Sequence, residues 1–414
     1  MHRALKNIYR YSIGRCIKMI TGDNKAISNI LYEGLPIRKF VAPEIILGDG
    51  SRSLINQHIL SLSGQNIFLV TDPGVMKAGW AGEIIDNLMA AGLEVVIYDK
   101  ISQNPRSQEV MQGAELYVEN NCDLIVAVGG GSPMDCGKAI GAVVSNRCNV
   151  LELEGVDEVV VPGPPLICIP TTAGSSADVS QFAIITDERK RRKFAIISKT
   201  MVPDLALIDP EVTLSMSPEL TAATGMDALC HAFESYVSNA SSVMTDMYAL
   251  EATRLLAEYL PKAYADPGNI MYRDKVMLGS MYAGLAFSNA SLGLVHAMAH
   301  SLGGYLDSPH GECNAQLLEH VAAFNYSSAA DKYRDLEAAM SGKEIPENKG
   351  IEGLIRELRS MTSQLRIEPG LSNMGVKEEE IKYLSENAFL DPCLATNPRP
   401  ATREDIERLY YGAL

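Results

Sequence analysis

Asp123–Ile140 reads DLIVAVGGGSPMDCGKAI, and this stretch decides the fold class. Asp123–Val128 is short, aliphatic and β-branched, as a strand buried on both faces should be. Three glycines end it, and Pro133 suits the first turn of a helix continuing through Lys138, Ala139 and Ile140. Strand, side-chain-free turn and helix form the part of a βαβ unit where backbone N–H groups and a helix N-terminus cradle an anion such as a pyrophosphate. The run is not GxGxxG, and a triple glycine also serves as a plain tight turn.

Similar runs flank it on both sides. Asn66–Thr71 (NIFLVT), Glu94–Tyr98 (EVVIY) and Leu166–Ile169 alternate with stretches of helical period, Gly82–Ala91 and Ser107–Glu119. Strands alternating with helices predict right-handed βαβ units and a Rossmann-like parallel sheet covered on both faces. Ligands then bind beyond the carboxyl ends of the strands. At the end of the first of these runs stands Asp72, where a carboxylate can accept hydrogen bonds from a ribose diol and repel a 2′-phosphate, favouring NAD over NADP. An aspartate there can equally cap the following helix. After Leu166–Ile169 comes PTTAGSSAD, Pro170–Asp178, a loop of hydroxyls and small residues suited to line a nucleotide groove.

Beyond Pro210–Pro218 strand signals stop and long helical stretches follow, which predicts an all-helical second domain. The expected division is a basic extension over 1–39, an α/β dinucleotide-binding domain over 40–214, and a helical domain over 215–414. The extension carries eight Lys/Arg against two Asp/Glu in an acidic chain, and could be an amphipathic basic helix, a targeting peptide, a docking segment, a poorly ordered extension or an over-long translated start.

Five of the seven histidines fall between His231 and His320, a concentration that calls for an explanation. Asp227 and His231 lie four residues apart on one predicted helix and therefore share a face. His296 and His300 repeat the spacing on a later helix, and His310 sits in Ser308-Pro309-His310-Gly311, a turn able to swing an imidazole inward. Carboxylate and imidazole donors without a thiolate suit Fe²⁺ or Zn²⁺ and leave room for a substrate oxygen.

Composition narrows the partners. The balance of 36 basic against 51 acidic residues, net −15, disfavours nucleic acid and anionic membrane, whereas a small neutral substrate is easily accommodated. Eight scattered cysteines without a CxxC pair fit a reducing compartment, and no apolar run is long enough to span a bilayer, so a cytoplasmic protein is expected.

Taken together, GGGSPMDCGKAIG, IPTTAGSSADVS, DERKRRKF, TGMDALCHAFESYV, SLGLVHAMAH and SPHGECNAQLL resemble the signatures of the iron-containing (group III) alcohol dehydrogenases, over nearly the whole span from Phe40 to Leu414. The resemblance implies nicotinamide meeting a metal in a cleft between an α/β and a helical domain, and a homo-oligomer, dimer or higher. It assigns Asp227, His231, His296 and His310 as metal ligands and His300 as a non-ligand histidine near the nicotinamide. It also assigns Asp72, Asn104, Gly130, Gly131, Ser132, Asp135, Thr171, Thr172 and Lys193 to NAD, and Phe287 to the substrate pocket wall. Lys193 rests on the resemblance, since Lys190–Lys193 otherwise reads as a solvated charge run. Asp178 and Glu319 depart from the residues common in the family. The implied reaction is reversible hydride transfer between a small primary alcohol or diol and NAD, with His300 as a proton conduit or a structural neighbour. A lyase of the dehydroquinate-synthase type and a metabolite sensor that keeps both sites stay open as alternatives.

Overall fold

The computed structural model describes residues 37–190 and 192–414, so nearly all of the basic extension lies outside the described residues. The run around Gly129 is the centre of a six-stranded sheet, every pairing parallel, in the order β1-β9-β6-β4-β2-β3. The strands are β1 (Glu44–Leu47), β2 (Asn66–Val70), β3 (Glu94–Tyr98), β4 (Leu124–Gly129), β6 (Leu166–Pro170) and β9 (Leu205–Ile208). A small second sheet, in the order β5-β8-β7, joins β5 (Gly155–Val156) to the antiparallel pair β7 (Phe182–Asp187) and β8 (Arg192–Ile197). The run expected to be the first strand is thus the second, preceded by β1 at the sheet edge.

Period-two alternation sets the two faces. Ile67, Leu69, Leu124 and Val126 pack on one side with helices α1 (Ile55–Ser61) and α3 (Trp80–Ala90), which follows the short α2 (Pro73–Ala78). Phe68, Val70, Ile125 and Ala127 pack on the other with α4 (Ser107–Glu119) and α5 (Gly131–Asn146). Each large aliphatic chain fully buried in this way stabilises the fold by roughly 1.5–3 kcal/mol, and a one-residue slip in any strand would reverse its faces.

The topology also places the ligand crevice. From β2 the chain moves outward to β3, then returns across β2 to lay β4 on its other side. The loops after β2 and β4 therefore diverge, opening a gap at the carboxyl edge where Asp72 and Gly129–Gly131 stand.

Past β9, the 3₁₀ segment Pro210–Ser215 leads into α6 (Pro218–Val237), whose N-cap Ser217 accepts a hydrogen bond from Leu220 N–H, with Pro218 in the first turn. From Gly225 to Val237 every residue of α6 is buried, which makes it the central rod of the helical half. Around it pack α7 (Val243–Ala265), α8 (Ile270–Ala290), α9 (Leu294–Leu306) and α10 (His310–Asn325), followed by α11 (Ala330–Ser341), α12 (Glu352–Gln364), α13 (Ile381–Phe389) and α14 (Arg403–Ala413). Among the described residues no helix is long and apolar enough to cross a membrane.

Candidate metal centre and cofactor cleft

Asp227 and His231 do share one face of α6, with Asp227 Oδ1 3.6 Å from His231 Nε2. The same oxygen lies 3.6 Å from His296 Nε2 on α9 and 3.7 Å from His310 Nε2 on α10. His310 does not sit in a free turn as expected: Pro309 is the N-cap and His310 is the first residue of α10. What carries its imidazole to Asp227 is the next residue, because a Cβ on Gly311 would stand 1.9 Å from the Ala223 carbonyl oxygen. Only glycine lets α10 butt against α6 there.

The electrostatics of the four differ. Burial acts to raise the Asp227 carboxyl, but His231, His310 and His296 overcome it and hold the group well below the usual carboxylate range. Burial lowers His231 to about 4 and His310 well below an ordinary histidine, Asp227 opposing both shifts. For His296 burial is outweighed by Asp227 and Glu234, which raise it to about 9. The cluster thus offers an ionised carboxylate and two neutral imidazoles, with the third held between two carboxylates.

This donor set fits a divalent cation. A tetrahedral ion with bonds of about 2.1 Å separates its ligand atoms by about 3.4 Å, close to the three spacings around Asp227 Oδ1; Asp227, His231 and His296 bring one donor atom each within 4.8 Å of one another, and His310 meets that group at Asp227. His231 Nδ1, His310 Nδ1 and Asn314 Oδ1 are buried without a hydrogen-bond partner, although the Gly174 carbonyl favours a proton on His231. An imidazole protonated at Nδ1 keeps its Nε2 lone pair for a metal.

Four residues that the sequence did not single out hold the cluster or the side chains beside it. Glu234, one turn beyond His231, accepts hydrogen bonds from the N–H groups of Gly293, Val295 and His296, and sits 2.6 Å from His296 Nδ1. Asn314, one turn beyond His310, donates to Asp227 Oδ1 at 2.7 Å. Helical spacing could have flagged both. Asp391 lies 2.8 Å from His300 Nδ1, and Cys393 packs beside Phe182, Phe287 and Leu292. Neither of these two carries a signal in the sequence.

His300 therefore points its Nδ1 at Asp391 while its ring stacks on His310 at 5.1 Å. Phe287 stacks on His231 at 4.3 Å and meets Phe182 edge-on. One cavity of about 620 Å³ runs from these rings to the sheet edge. Asp72, Asn104, Gly130, Gly131, Ser132, Asp135, Thr171, Thr172 and Lys193 all line it, as do the four clustered donors, His300 and Phe287.

At the sheet end, Gly130 is the N-cap of α5 and has no side-chain cap. A Cβ on Gly131 would come within 2.9 Å of Ser175, so backbone alone faces the cleft there. Thr171 N–H donates to the Gly129 carbonyl, and Ser132 Oγ donates to that of Gln103, which holds the loops together. Asp72 does cap α2, accepting from Gly74 and Val75 N–H through Oδ1, and it lines the cleft as well. Asp135 accepts from Ile184 N–H, and burial raises its carboxyl to about 6.

Lys193 is no solvated charge. On β8 it donates to Asn104 Oδ1 at 2.7 Å, and Asn104 Nδ2 donates to Asp307 Oδ1 at 2.7 Å, which ties the β3–α4 loop to the end of α9. Burial lowers the Lys193 ammonium, with nearby Cys313 and carboxylates opposing the shift.

Residues 42–210 match the family model described as iron-containing alcohol dehydrogenase, and residues 221–414 match that of the C-terminal part of the Fe-containing alcohol dehydrogenase family. The NAD-dependent methanol dehydrogenase of Bacillus methanolicus is 35% identical over 378 residues, 91% of this chain and 99% of that protein. The 1,3-propanediol dehydrogenase of Citrobacter freundii is 35% identical over 379 residues, 90% of this chain and 98% of its own. A crystal structure of 1,3-propanediol oxidoreductase superposes with a TM-score of 0.88 at 35% identity, covering 92% of this chain and all of that one.

Proposed function

This chain belongs to the iron-containing alcohol dehydrogenase family, and from that premise we propose that it interconverts small primary alcohols or diols and their aldehydes at the Asp227, His231, His296 and His310 cluster. It is an NAD-dependent oxidoreductase with iron as its metal, and the agreement of relatives over nearly their full lengths favours the enzyme over a lyase or a sensor. The observation that carries the site is the single cavity joining the glycine cradle at Gly130–Gly131 to the four-donor cluster, since hydride transfer needs both partners in one enclosure.

When bound, the ion acts as a Lewis acid on the substrate oxygen and the nicotinamide accepts or supplies hydride. Asp227, His231, His296 and His310 hold the ion, and Glu234 keeps His296 Nδ1 protonated so that Nε2 faces it. The N-terminus of α5 and the bare backbone of Gly130 and Gly131 receive the pyrophosphate, with Asp72 at the ribose and Thr171, Thr172, Asn104, Asp135 and Lys193 along the groove. Phe182, Phe287 and Leu292 give the metal end apolar walls, which exclude water and suit a short uncharged chain. His300, fixed by Asp391 and stacked on His310, lines the same cavity as the group that passes the alcohol proton onward.

A division near Leu214 into a dinucleotide-binding and a metal-binding domain is supported by the last sheet strand ending at Ile208 and the first long helix starting at Pro218. A cytoplasmic location is supported by the free cysteines, and a homo-oligomer is part of the same proposal. The test is anaerobic purification with Fe²⁺, followed by NADH formation with straight-chain primary alcohols and diols of one to six carbons. Turnover confined to short uncharged substrates is expected; none with any of them, despite bound metal and NAD, refutes the proposal.

A further inference from the structure

Trp80 is the single tryptophan of the chain, and none of the signature stretches quoted above includes it. It opens α3 directly after Gly79, whose φ of 92° puts the break between α2 and α3 in the left-handed region. Its indole Nε1 donates to Ser215 Oγ at 2.8 Å. The Arg52 guanidinium lies over the ring, 5.1 Å from its centroid, and is held in turn by Asp209 and Glu211, each at 2.6 Å, and by Glu83 at 3.1 Å. Asp209, Glu211 and Ser215 all belong to the segment that leads from the sheet into α6. An aliphatic side chain could accept the cation on neither face nor donate to Ser215; indole does both.

Trp80 and Ser215 both line the large cavity, as do Asp72, Pro73 and Gly74, which shortly precede Trp80 in the chain, and Met216 and Leu220, which shortly follow Ser215. Their bond therefore links the segment that follows Asp72 to the start of α6, where Leu220 precedes His231 by eleven residues, about 16 Å along the helix. It is also exposed and neutral, unlike the partly buried ion pairs from Arg52 to Asp209 and Glu211, so it can break while that anchor stays in place.

We propose that Trp80 and Ser215 form a clasp over the adenosine end of the dinucleotide cleft, closed on bound NAD and opened to exchange it. Both are positioning residues that set cofactor residence time without touching the chemistry. The inference rests on the proposed NAD site.

The experiment is stopped-flow release of NADH from the iron-loaded full chain, followed in the wild type and Ser215 variants by energy transfer from Trp80 and in Trp80→Phe by NADH emission. Ser215→Ala and Trp80→Phe should each release NADH about fivefold faster, with metal content and alcohol KM unchanged, and Ser215→Thr should restore the slow rate. Equal release rates in Ser215→Ala and the wild type, or fast release in Ser215→Thr as well, overturn the clasp. A wild type that binds neither NAD nor NADH overturns the dinucleotide site itself and the clasp with it.

Discussion

Glu234 is the most informative residue to perturb, because one carboxylate serves both the fold and the proposed metal site. Its Oε1 accepts from Val295 N–H, and its Oε2 faces Gly293 N–H, His296 N–H and His296 Nδ1. Glu234→Gln keeps the size and removes the charge. Turned one way, the new amide meets three donors; turned the other way, it meets only Val295 N–H. The second orientation is the cheaper, and it orphans one buried N–H at about 1–3 kcal/mol. Loss of the negative charge at the N-terminus of α9 adds about 0.3–1 kcal/mol. The variant should thus unfold about 1–4 kcal/mol more easily. With the His296 tautomer no longer enforced by a carboxylate, metal should bind about 10–100-fold more weakly. Chelator competition gives the affinity, and chemical unfolding gives the stability. A metal affinity within about twofold of the wild type, alongside an unchanged unfolding midpoint, would refute the claim that Glu234 orients His296.

Other predictions follow from the same geometry. His296→Ala and His310→Ala should each purify without iron or zinc, and unchanged metal content in both would remove them as ligands. Asp72→Asn keeps an oxygen for the α2 cap but no charge, so discrimination against NADP should fall by about tenfold; an unmoved ratio of kcat/KM for NAD and NADP excludes the ribose role. Burial raises the Asp178 carboxyl from 3.8 to about 6, with Lys138 among the groups opposing the shift. The folded chain therefore keeps a proton that the unfolded chain releases, and stability falls as pH rises from about 4 to about 6. Relative to the wild type, Asp178→Asn should gain up to about 3 kcal/mol across that window, and unfolding free energies differing by the same amount at both ends contradict the burial effect.

Much of the α/β half was legible because its signals are local. The strands Asn66–Val70 and Leu124–Gly129 are apolar runs buried on both faces, Glu94–Tyr98 at the sheet edge is a β-branched run, and Pro133 after three glycines marks a helix start wherever it occurs. The i,i+4 pair Asp227 and His231 was equally plain, since a helix fixes which side chains share a face. The hairpin of β7 and β8 was hidden, because its turn lies in a charge run, and the last lysine of that run finds its partner only in Asn104, which Asp307 holds in turn.

Local pattern stops where partners are far apart in the chain. Composition and spacing alone grouped His296 with His300 and left both as donors; the resemblance set His300 apart, and its Asp391 partner, ninety-one residues away, is visible only once α9 packs against the 391–396 turn. In the same way Gly311 looks like any glycine until α10 meets the Ala223 carbonyl, and Trp80 like any aromatic until Ser215 is brought to it. Periodicity is written into the chain by backbone geometry, whereas contacts between distant side chains exist only after loop closure has brought the elements together.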